Sequence, residues 1–491
     1  MSTGTRAVIA GAVLLAALAF PSLAAAHASG VNYRSPIPVW LYGLAGGLAV
    51  LASAPAAAFG LAGGKERASG NLYTAIRRLR LGPIGLSLSS LLLAIALVGG
   101  FFGVQEFFDN PATILIWVDF WVGLGIVSAL VANVWDFVSP LSALGRWLER
   151  LLAARGSLVL PYPARLGVWP AVLQLLAWTW AELVWEPAKE PRTLAVLMLA
   201  YIGLQLVAMA AFGTEVWLAR GELFTVFART LARFAPLELY VRSPAGRCRA
   251  ERCTEEERIG CPACWLDAAP EGRGLRLRAY GAGVRREPPL GAGGGTFVLA
   301  TLGTVIYDGF SQTNRFSLLE AEVLGRSSWL SYHISTLETA FMTLIVGGFA
   351  LLYLLVCALL SRFERVAVAE AARRYAPTLI PISAVYFISH YFLYLVYIGQ
   401  FTPAVVLDPL EREWIPDYGI WADIPGGVIW YLQVGLIVWG HIVAVFAAHR
   451  LSLRVQGRPR LALVAQSPLV LLMVGYTFVG LWVLGQALTS Q

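Results

Sequence analysis

The chain has 491 residues, of which 58% are hydrophobic and only 14% charged. Soluble domains run nearer to about 45–50% apolar and about 25% charged, so a wholly water-exposed enzyme is excluded, as are disordered, collagenous and coiled-coil chains. The formal net charge of +7 needs no nucleic-acid partner, because the Arg and Lys residues sit between apolar blocks, where cytoplasmic loops of membrane proteins collect them.

In chain order, residues 1–26 read as a signal peptide. Arg6 supplies the positive start, residues 8–20 the apolar stretch, and Leu23-Ala24-Ala25-Ala26 a small-residue cleavage site. Cleavage after Ala26 makes His27 the first mature residue. Cleavage after Ala28 removes it, and an uncleaved first helix is a third alternative. An N-terminal histidine offers its amine and ring nitrogen as one chelate, which suits copper.

The remainder predicts an all-α, polytopic transmembrane helical bundle. About ten apolar blocks are near the roughly 20 residues that span a bilayer: 37–60, 83–103, 112–138, 169–187, 192–212, 295–310, 330–360, 376–400, 427–448 and 463–488. Every second loop is basic. Lys65, Arg67, Arg77, Arg78 and Arg80 fill one, Arg146, Arg150, Arg155 and Arg165 the next, and Arg362, Arg365, Arg373 and Arg374 a later one. The loops between them carry acids such as Glu106, Asp109, Glu186, Asp408 and Glu411. This alternation places the chain in the bacterial cytoplasmic (inner) membrane, with basic loops inside and the mature N-terminus outside. Residues 27–235 form an N-terminal bundle of about five spans, 236–294 a cytoplasmic Arg/Cys-rich loop, and 295–491 a C-terminal bundle of about five more. Residues 141–154 and 215–234 read as amphipathic helices on the cytoplasmic surface. The lipid bilayer is the expected partner, with a membrane or extracytoplasmic protein as a further one and no nucleic acid.

Cys248, Cys253, Cys261 and Cys264 form C-x4-C-x7-C-x2-C. Four thiolates so close together can close a tetrahedral structural zinc site. A redox Cys-x-x-Cys pair is the alternative, and an unmetallated loop a third.

Ionisable residues inside the apolar blocks are costly and mark function or pairing. At about 1.5 Å rise per residue, Asp308 and His333 fall near the outer boundary and Glu182 about two turns in. Asp119 and Glu338 lie deeper, His390 near the midplane, and His441 deeper still. Tyr386, His390 and Tyr394 follow an i, i+4, i+8 stripe. Together these predict an outward-facing polar cavity. His27, His333, Asp119 and Glu338 are candidate ligands for a transition metal such as copper or zinc, and His390 and His441 are candidate ligands for a haem b. Alternatively, Asp119 and Glu338 carry protons in a secondary transporter, or each group only hydrogen-bonds a neighbouring helix. No nucleotide-binding loop, serine elbow or His-Glu-x-x-His motif is present.

Several stretches resemble a family of polytopic bacterial membrane proteins, best represented in actinobacteria, labelled fenitrothion hydrolase. They are His27-Ala-Ser-Gly with Ser35-Pro-Ile-Pro-Val-Trp-Leu-Tyr42, Val118-Asp-Phe-Trp-Val-Gly123, Val134-Trp-Asp136, Ser139-Pro140, Tyr307-Asp-Gly-Phe310, residues 381–400 around His390, and Gly440-His441 to His449-Arg450. The resemblance implies a shared bundle and, from the label, a metal-dependent hydrolysis of organophosphate triesters. The leading expectation is metal handling or redox chemistry at a His/carboxylate cavity, with the hydrolase and the proton-coupled transporter as alternatives.

Overall fold

The computed structural model describes residues 38–59, 81–153, 159–241, 258–287, 290–412 and 424–488. The signal-peptide segment, His27, Cys248 and Cys253 lie outside the described residues. Of the described residues 81% are helical, and among them eight helices are long and apolar enough to cross a membrane. The protein is a multi-pass helical membrane protein.

The eight include α1 (Val39–Phe59), α2 (Leu81–Phe102), α3 (Pro111–Leu130), α6 (Pro191–Phe212) and α10 (Ile334–Glu364). They continue with α11 (Ile380–Ile398), α12 (Gly426–Gln456) and α13 (Pro459–Leu488). Two further apolar blocks form α5 (Trp169–Leu183), with 15 residues, and α9 (Gly294–Ser311), with 18. The first is short, and the second is diluted by Gly, Thr and Asp308. Both are nonetheless part of the bundle: α9 packs against α5, α10 and α11 and is buried on nearly every side, as expected of a helix apolar all round.

Small residues set how closely the helices approach. A Cβ at Gly99 would stand 2.1 Å from the Pro111 ring, and one at Gly440 2.2 Å from Val385 Cγ2. Without side chains at these points α2 meets the start of α3, and α12 seats on α11, in the close contact typical of membrane helices. Asn110 starts α3, its side chain accepting from the Ala112 amide at 2.8 Å while Pro111 takes the first turn. Ile114–Val122 of α3 is wound as a π-helix, a winding that is rare and frequent at functional sites.

The 141–154 stretch is α4 (Pro140–Ala153), with Trp147 and Leu151 exposed. The 215–234 stretch differs from the surface helix expected. It is two short helices, α7 (Thr214–Arg220) and α8 (Leu223–Ala232), and α8 is buried. The Glu222 carboxylate accepts from the Phe224 and Thr225 amides at 3.0 and 2.7 Å and caps α8. Phe224 and Phe227 then enter an aromatic core with Trp121, Trp178 and Phe387. Arg229 can be buried because Asp136 takes it at both ends, at 2.9 and 2.7 Å, and a buried cation is tolerated when paired.

The Arg/Cys-rich loop contains an antiparallel sheet of β1 (Leu237–Val241), β2 (Arg258–Ile259) and β3 (Arg273–Leu277) in the order β2-β1-β3, with Leu239 opposite Leu275. Cys261 and Cys264 are buried beside it with Trp265 and Val241. Arg278 ties this module to the bundle: it donates to the carbonyls of Ala232 and Ala235 at 2.7 and 2.9 Å and pairs with Glu238 and Glu287.

Candidate functional site

Four helices bring a chain of polar groups together inside the bundle. Asp308, near the end of α9, meets His390 of α11, with Oδ2 2.8 Å from Nε2. Glu182, near the end of α5, is half-buried against α3, where the Trp121 indole N–H donates to its two oxygens at 3.1 and 3.0 Å. Tyr391 packs between the halves, its ring centroid 4.8 Å from that of His390 and 4.7 Å from that of Phe387, which in turn lies 5.5 Å from Trp121. The cluster thus holds two polar pairs, Glu182 with Trp121 and Asp308 with His390.

Local structure explains why these groups coincide. Tyr386, His390 and Tyr394 share one face of α11, as the spacing predicts. The Tyr386 ring lies parallel to His390, 4° between planes, with centroids 6.5 Å apart. Its hydroxyl is buried with no hydrogen-bond partner among the described residues. A Cβ at Gly309, the residue after Asp308, would stand 2.7 Å from Val483 Cγ1, so the glycine lets α13 approach α9 here. Two carboxyls and an imidazole thus share one apolar environment, where an unpaired charge is expensive and proton transfer between neighbours keeps the group neutral. The cluster has the donors, acceptors and titratable groups for holding and passing protons.

The other predicted residues are elsewhere. Asp119 faces the side of α3 away from Trp121, and its carboxylate accepts from the Thr402 hydroxyl at 2.7 Å. His333 is exposed before α10, stacked on Trp329 with centroids 4.5 Å apart. Glu338 is half-buried on α10, in the field of Glu320, Glu186 and Lys189. His441 is buried on α12, its Nδ1 2.8 Å from the Ile437 carbonyl and its Nε2 without a hydrogen-bond partner among the described residues. Gln433 of α12 reaches the Ser389 carbonyl at 2.6 Å, which fixes the register against α11. His441, eight residues on, is therefore roughly 12 Å from the level of His390 along the axis. The pair is not arranged across a haem. Among the described residues no three His, Cys, Asp or Glu side chains converge as metal ligands.

Asp308 and Glu182 stand out in the sequence as acids inside apolar blocks, expected near the outer boundary and about two turns in, whereas the contact of Asp308 with His390 puts Asp308 level with a residue expected near the midplane. Depth does not say which face each helix turns to its neighbours, so their meeting with His390 was not legible. Trp121 and Tyr391 carry no comparable signal. Compared with known protein families, curated proteins and solved structures, the chain matches none.

Proposed function

We propose that the protein is a proton-coupled membrane transporter whose proton-binding site is the Glu182–Asp308–His390 cluster. The carrying observation is the 2.8 Å contact of Asp308 with His390, with a second acid, Glu182, held nearby by the Trp121 indole. A bundle held only for stability gains little from such a cluster, because well-packed apolar residues replace buried ion pairs at no cost or with a gain. In this reading all ten apolar helices cross the bilayer and the basic loops face the cytoplasm. The cluster then lies in the outer half, with Asp308 and Glu182 nearest the outer surface. Protons enter from that side, and His390 hands them toward the interior.

The test is a pH jump on vesicles carrying the protein, adsorbed to a solid-supported membrane. Wild type is expected to give a transient current as protons enter the low-dielectric site. Glu182→Gln and Asp308→Asn should each diminish it. Wild-type currents no larger than those of empty vesicles would contradict the proposal.

A second reading concerns the loop module. The burial of Cys261 and Cys264 in one cluster beside a sheet favours a structural zinc completed by Cys248 and Cys253. About one zinc per chain, lost in Cys261→Ser with Cys264→Ser, is the expected result; equal zinc in the double variant would refute it. The transition-metal and haem reading built on His27, His333, Asp119, Glu338, His390 and His441 draws no support from where the described members stand.

A further inference from the structure

Asp119 is not part of the proton cluster, yet it is tied to it through one irregular segment. It lies two residues before Trp121 in the π-helical stretch of α3, so the two side chains leave nearly opposite faces. Trp121 turns to Glu182. Asp119 lines a cavity of about 530 Å3 between α2, α3 and α6, its carboxylate held at one side by Thr402. Among the described residues lining this cavity Asp119 is the one charged side chain; apart from Ser89 the remainder is apolar or aromatic, including Phe120, Trp135, Tyr201 and Phe224. The size falls within the roughly 300–1,000 Å3 of small-molecule sites. The neighbouring α2 is thinly packed, with Ile84, Leu88 and Leu91 exposed, so the cavity borders the surface that faces lipid.

From this geometry we infer that the cavity is a binding site for a lipophilic cation, with Asp119 as its counter-ion. Resting on the transporter reading, this names the substrate class. An apolar cavity alone would take an acyl chain or any hydrophobe. A single carboxylate within it selects a ligand that brings one positive charge and can shed its water, because the pair is attractive where the dielectric is low. Four aromatic rings add faces that favour a cation further. A strongly hydrated ion such as an alkali metal or a primary ammonium on a short chain gains too little from these walls to offset its dehydration. Thr402, which donates to Asp119, directly follows the short turn Gly399–Phe401 after α11. Asp119 thus contacts the segment that continues from the helix carrying His390, and it shares the π-helical segment with Trp121, the donor to Glu182.

The probe is radiolabelled tetraphenylphosphonium, which carries a charge but no exchangeable proton, against uncharged triphenylphosphine oxide. Purified full-length protein in lipid nanodiscs is expected to bind the cation saturably and to bind the neutral compound far more weakly. Asp119→Asn should weaken cation binding on the order of tenfold or more, as for loss of a desolvated charge partner. A second variant fills the space. A Cβ at Gly123 meets nothing within 4 Å and the residue lines the cavity, so Gly123→Leu should abolish binding while the protein elutes and melts as wild type. Equal affinity for the cation in wild type and Asp119→Asn would overturn the inference, as would equal binding of the neutral probe, which marks a lipid-chain site. Glu182→Gln is expected to keep cation binding and to lose the pH-jump current. Cation binding without any such current in wild type would retire the transporter reading and leave the site standing. A wild-type current without cation binding would do the reverse.

Discussion

At the scale of single residues, buried polar side chains divide by whether they have partners. Arg229 and Asp136 form a two-point pair with side chains 9% and 5% exposed, whereas Lys189 and Glu186 pair with 50% and 76% exposed. Removing one member of a buried pair strands the other at a cost of about 3–5 kcal/mol, while an exposed pair contributes about 0–1 kcal/mol. Asp136→Ala is therefore expected to lower the thermal midpoint of detergent-purified protein markedly, and Glu186→Ala to leave it nearly unchanged; equal effects would show that burial does not rank these pairs. Trp121→Phe takes from Glu182 its indole donor and is expected to cost about 1–3 kcal/mol, read in the same melting experiment. His390 was legible as a candidate because an imidazole among apolar residues with tyrosines four before and four after is conspicuous. Asp308 and Glu182 were visible as acids but not as its neighbours. Asp119 and Glu338 were singled out by depth alone, and depth places only one of them, Asp119, on a cavity.

At the scale of elements, close approach at glycine explains the packing of α11 and α12. A Cβ at Gly440 would overlap Val385, whereas one at Gly435 on the same helix meets nothing within 4 Å. Gly440→Ala should destabilise by about 1–3 kcal/mol through overpacking, and Gly435→Ala should be neutral or slightly stabilising through helix propensity. Matching melting curves for the two would contradict the packing account. The apolar blocks announced their helices because length and hydropathy are local properties. The burial of α8 was hidden because Arg229 and Arg233 give it the look of a surface helix. Their partners Asp136 and Glu287 are far away in sequence, and only the fold pairs them. The small sheet of the loop module was equally illegible, since its strands are two to five residues long and lie among Arg-rich turns.

At the scale of the whole molecule, the bundle sets two different environments on the two sides of α3: a chain of titratable groups leading through Glu182, Asp308 and His390, and an apolar cavity with one acid. A proton-coupled transporter needs two sites and an element that both can bias. In the proposed reading that element is the π-helical stretch from Ile114 to Val122, which carries both Asp119 and Trp121. The sequence alternation of basic and acidic loops predicts ten crossings, and single cysteines placed in successive loops should label alternately from outside and inside in intact cells. Two successive loops labelled from the same side at α5 or α9 would reduce the count to the eight long helices. The central claim is that protons bind at the buried cluster, and difference infrared spectroscopy of the purified protein reads this directly. As pH is stepped from acid to alkaline, the account predicts loss of a carbonyl-stretch band from protonated buried carboxyls, changed in Glu182→Gln and in Asp308→Asn. A spectrum with no pH-dependent carboxyl band, or one identical in wild type and both variants, would contradict it.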